Sequence, residues 1–96
     1  MEKYRYRITL ESLDALTEPR ALQFDFGNRD DIFLILERLR QRDDFAAEEI
    51  PPFALGLKLL GKTLMENREN PLLASFKPHF VAFMRELKKG TPEKTG

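Results

Sequence analysis

The stretch Lys3-Tyr4-Arg5-Tyr6-Arg7-Ile8-Thr9-Leu10-Glu11 decides the fold class. Tyr4, Tyr6, Ile8 and Leu10 point one way; Lys3, Arg5, Arg7, Thr9 and Glu11 point the other. A period of two carried by aromatic and β-branched residues predicts a strand covered on one face. A second alternation at about 21–27 sets Leu22, Phe24 and Phe26 inward and Ala21, Gln23 and Asp25 outward. The segment between them, Ser12 to Arg20, holds the turn residues Asp14, Thr17 and Pro19 and is too short for a crossover helix. The two strands therefore pair as an antiparallel hairpin. That pairing brings Arg5 and Arg7 near Asp25, a small favourable cross-strand interaction.

After Gly27 the apolar spacing changes from two to three and four. Ile32, Ile35, Leu36 and Leu39 fall at i, i+3, i+4 and i+7. Asn28 is a good N-cap, Asp30 and Asp31 suit the positive first turn, and Arg38, Arg40 and Arg42 suit the negative end. A helix is predicted over about 29–42. Between Asp43 and Ile50, Phe45 to Glu48 have room for one helical turn, and Ile50 precedes a proline, which favours extended backbone. Pro52 opens a second helix, about 52–68, whose buried stripe is Phe53, Leu57, Leu60 and Leu64. Gly56 and Gly61 lie inside it and weaken it by roughly 1 kcal/mol each relative to Ala, so close approach of another element is their expected reason. Ser75 as cap, with Pro78 in the first turn, predicts a third helix over about 75–89. Phe76, Phe80, Phe83, Met84 and Leu87 form its inward face, expected to pack against Phe24 and Phe26. A hairpin followed by helices is an α+β arrangement. It is read as a single domain over 1–90 with a flexible tail over 91–96.

Composition removes several chemistries. The 96 residues carry 16 Lys+Arg against 16 Asp+Glu, a formal net charge of +0, which argues against a coat for nucleic acid or an anionic membrane. There is no cysteine, which excludes disulfides, zinc–thiolate sites, iron–sulfur clusters and thiol nucleophiles. The longest strictly apolar run, Ile32 to Leu36, is far short of the roughly 20 residues that span a bilayer. With no apolar leader after Met1, a cytoplasmic protein is expected.

Two longer stretches are distinctive. Gly56-Leu57-Lys58-Leu59-Leu60-Gly61 is followed by Met65-Glu66-Asn67-Arg68-Glu69-Asn70-Pro71-Leu72. Together with the opening Tyr4-Arg5-Tyr6-Arg7-Ile8-Thr9 and the later Phe83-Met84-Arg85-Glu86-Leu87, they resemble DUF3861, a small bacterial family known as a domain of unknown function. The resemblance spans roughly Lys3 to Lys89. It implies a cytoplasmic bacterial domain and carries over no catalytic residue. Pro51-Pro52 stands where a smoother helix start is expected in that family.

No constellation for catalysis, metal or cofactor emerges. His79 is the only histidine, with no cysteine partner, no sequence-local Ser/Asp constellation and no second imidazole at helical spacing. The pairs Asp30/Asp31, Asp43/Asp44 and Glu48/Glu49 are adjacent, so their side chains diverge on a helix. Gly61-Lys62-Thr63 resembles the end of a phosphate loop but lacks the preceding strand and lies inside a predicted helix instead of between strand and helix. An enzyme or small-ligand binder using His79 is thus the alternative reading. Weak nucleic-acid binding through the strand-face cations is another, although no outward aromatic accompanies them. The leading expectation is a non-catalytic protein-interaction module that forms a homodimer or meets another protein, because a lone hairpin exposes two edges. Its expected surface comprises Lys3, Arg5, Arg7, Gly56 and Gly61.

Overall fold

The computed structural model describes residues 2–14, 18 and 20–91. Thr17 and Pro19 of the expected turn, and 92–96 of the expected tail, lie outside the described residues. The chain is an antiparallel two-stranded hairpin followed by three helices, an α+β fold. It divides into two compact units, Met1–Asp31 and Ile32–Gly96.

In the first unit, β1 (Tyr4–Glu11) pairs with β2 (Ala21–Asn28) in a register that sets Tyr6 opposite Phe26, Ile8 opposite Phe24 and Leu10 opposite Leu22. Because side chains alternate, this register collects every large apolar residue of both strands on one face. The ladder continues past Glu11, where Ser12 and Arg20 join by backbone (2.9 Å), and the Ser12 hydroxyl accepts from the Arg20 amide (3.0 Å). At the open end the Lys3 amide donates to the Asn28 carbonyl (3.0 Å). That bond keeps Asn28 in the ladder. It is the last residue of β2 rather than the cap of the following helix.

The second unit begins with α1 (Ile32–Leu39), shorter than 29–42 at both ends. Its last turns tighten, with Gln41 and Arg42 donating to Arg38 and Leu39, and this releases Arg42 from the helix. A 3-10 turn (Ala47–Glu49) then leads directly into α2 (Ile50–Glu66). The extended geometry expected at Ile50 is not adopted: its backbone is helical, at φ −66°, ψ −47°. Two effects, one local and one tertiary, outweigh the pre-proline preference. The Glu49 carboxylate accepts from the Ala46 amide (3.0 Å) and closes the turn, and Ile50 is only 2% exposed among Leu39 and Ala54. Pro51 and Pro52 fall in the first turn, where helix N–H groups have no partner to lose.

The last helix, α3 (Pro71–Lys89), begins four residues before the position read from Ser75. Asn70 is its cap, its side-chain oxygen accepting from the amides of Leu72 (3.0 Å) and Leu73 (3.4 Å). Pro71 occupies the first position, and Pro78 lies inside the helix. Ser75 instead donates its hydroxyl to the Leu72 carbonyl (2.7 Å).

The helical core comprises Leu39, Ile50 and Ala54, lined by Ile35, Leu36, Phe45, Phe53 and Leu87. Phe53 joins two rings, stacked on Phe45 at 4.6 Å and edge-on to Phe83 at 6.2 Å.

Candidate interaction surface

The two faces of the hairpin differ in chemistry. On the polar face Arg7 lies directly across from Asp25, with Nε donating to Oδ1 (2.9 Å) and Nη2 to Oδ2 (3.3 Å). The hydrogen bond from Arg7 lowers the Asp25 carboxyl below its ordinary value, with a smaller contribution from the charge of Arg5. Reciprocally, Asp25 raises the Arg7 guanidinium. Lys3 holds its ammonium 5.9 Å from the Tyr4 ring centroid, within cation–π reach. The strand-face cations are thus an exposed cluster in which Arg7 is already committed to a cross-strand partner.

On the apolar face, exposure rises steadily toward the loop. Phe26 is buried and lies 5.6 Å from the Tyr6 ring. Phe24 is 40% exposed, Leu22 57% and Leu10 65%. The loop-side half, Ile8/Phe24 and Leu10/Leu22, is therefore an apolar patch built from two directly opposed pairs. Alternation places all these side chains on one face. Only burial distinguishes the covered half from the open one.

The other expected surface residues belong to α2. A Cβ at Gly61 would stand 3.1 Å from Cζ of Phe80, so its missing side chain lets α3 approach α2 inside the helical unit. Gly56 has nothing within 4 Å of that position. The structure does not gather Gly56 and Gly61 around one partner. His79 is exposed on α3. Among the described residues no three His, Asp or Glu side chains converge as a cation site. No helix among them is long and apolar enough to cross a membrane.

A model of the domain of unknown function DUF3861, a family with a solved structure, matches residues 4–89. The chain belongs to the DUF3861 family. A member-sized structural relative agrees. The crystal structure of a protein of unknown function from Pectobacterium atrosepticum SCRI1043, at 2.20 Å, is 38% identical and superposes with a TM-score of 0.83. The match covers 93% of this chain and 99% of that one. No curated protein matches the chain. The family match takes in the hairpin and all three helices, including Asn70-Pro71, whose side chain and ring start α3.

Proposed function

We propose that this DUF3861 chain is a non-catalytic interaction module that self-associates through its hairpin. The observation that carries the reading is the open apolar patch of Leu10, Leu22 and Phe24, continued by the half-buried Ile8, on a sheet of only two strands. A two-stranded sheet is marginal by itself, and its outer edges offer unpaired backbone groups. The patch contains no charge, and the whole chain carries a formal net charge of +0, so two copies meet without electrostatic opposition. A two-fold arrangement lets the same patch serve both molecules, while Lys3, Arg5 and Arg7 stay solvated on the opposite face. Gly56, with open space beside it, is a second place where another molecule can come close. A bacterial origin and a cytoplasmic location belong to the same proposal.

Light scattering across micromolar concentrations tests it. The wild type should show a concentration-dependent mass above that of one chain, and Leu10→Lys/Leu22→Lys should reduce it to one chain. A wild-type mass equal to one chain throughout that range overturns the reading.

A further inference from the structure

A groove of about 330 Å³ lies between α2 and α3, within the size range of small-molecule sites. Its apolar floor is formed by Leu64, Phe80 and Met84, with Met65 and Val81 exposed at the margin. Gly61 shapes the wall: with no side chain there, the Phe80 ring settles against α2. Lys77, Arg85 and Lys88 complete the lining chiefly through their aliphatic stems, which leaves their charged ends at the rim, and among the described residues no acidic side chain joins them. The pattern follows from helix geometry. Positions 77, 81, 84, 85 and 88 are spaced i, i+4, i+7, i+8 and i+11, so α3 turns one mixed cationic and apolar stripe toward the groove.

Charge and shape together define the occupant. An aliphatic body fits the floor, as burial of apolar area requires. A carboxylate head answers the cationic rim, with Arg85 able to grip it through two parallel donors. We propose that the groove is a binding site for a small amphipathic carboxylate, a medium-chain alkyl acid in chemical class. The site is independent of the hairpin patch and of self-association. It also differs from a His79 site, because His79 does not line the groove.

The test compares octanoate, 1-octanol and octyltrimethylammonium as probes, using calorimetry and methyl NMR on the full chain. Octanoate should bind saturably, with a dissociation constant on the order of 0.1–1 mM for a ligand of that size. Its methyl shifts should be confined to Leu64, Val81 and Met84. Octanol should bind at least about tenfold more weakly, and octyltrimethylammonium should not saturate. Arg85→Gln/Lys88→Gln replaces exposed side chains without touching the core and should weaken octanoate about tenfold. Gly61→Leu should abolish binding by driving the Phe80 ring off α2 and into the groove.

If Gly61→Leu fails to fold, the surface double variant decides alone. Equal binding of the acid and the ammonium overturns the proposal. So does octanoate binding that the double variant leaves unchanged, shifts confined to Ile8, Leu10 and Leu22, or no octanoate binding at millimolar concentration.

Discussion

Arg42 Nη1 donates a 3.0 Å hydrogen bond to the carbonyl of Leu87, a residue 45 positions further along the chain. The same nitrogen donates to the Thr91 hydroxyl (2.9 Å), which itself donates to the Leu87 carbonyl (2.7 Å). Arg42 Nε meanwhile donates to Asp44 (2.9 Å), and the guanidinium lies 6.0 Å from the Phe45 ring centroid. One side chain, 14% exposed, thus ties the segment after α1 to the end of α3.

Replacing Arg42 by Ala should destabilise the protein by about 1–2 kcal/mol, measured by urea denaturation. Arg42→Lys should recover little of it, because one ammonium on a flexible stem cannot reach Asp44, Leu87 and Thr91 together. Full recovery by Lys would show that only the charge at this position matters.

Among the described residues Ile50 is the largest fully buried side chain, and it stands at the first position of α2. Ile50→Ala should cost about 2–5 kcal/mol through lost burial and the cavity left among Leu39, Ala54 and their neighbours. Ile50→Val should cost about 0.5–1.5 kcal/mol. Urea midpoints of the two variants check the order.

Asn70 and Pro78 act in opposite directions on α3. Asn70→Ala removes the cap on the Leu72 and Leu73 amides and should cost about 1 kcal/mol. Pro78→Ala restores an N–H inside the helix and should stabilise it by up to about 3 kcal/mol, the penalty of an interior proline. Thermal melts read both effects, with the midpoint moving down for the first and up for the second.

Acid should weaken the fold through two carboxylates. Hydrogen bonds from Arg7 and Arg42 lower Asp25 and Asp44, respectively, below their ordinary values. A depressed folded-state value stabilises the protein above the unfolded value, roughly 3.9, and the contribution is lost as pH falls through the folded value. Between about pH 5 and pH 2 the melting temperature of the wild type should therefore fall more steeply than that of Asp25→Asn/Asp44→Asn. Parallel curves for the two proteins would contradict this assignment. Both pairs are exposed at the carboxylate, so the difference should also shrink in high salt.

The hairpin was legible because strand signals are local. The alternation of Tyr4 to Leu10 and of Leu22 to Phe26 sets the apolar face, and the short connection leaves antiparallel pairing as the simplest choice. The Arg7–Asp25 contact follows from that register. Helix boundaries were less legible. Asn28, Ser75 and Asn70 are all competent caps by residue type, and only hydrogen bonding distinguishes them. Asn28 is held by the ladder, Ser75 turns back to Leu72, and Asn70 receives two amides. The groove was illegible for a related reason. A helix start that puts Pro78 in the first turn divides the stripe through Lys77, Val81, Arg85 and Lys88 between that start and the solvent side.

By itself the sequence determined the class of fold, the order of its elements and the absence of cysteine chemistry. Periodicity and composition are properties of neighbouring residues and survive without knowledge of the packing. Tertiary structure alone decided that Arg42 reaches Leu87 and that the space beside Gly61 is filled by Phe80. It also decided that Leu10 and Leu22 are open while Phe26 is covered. Each of these depends on residues distant in the chain competing for the same space or the same hydrogen bond, and no local pattern records which of them prevails.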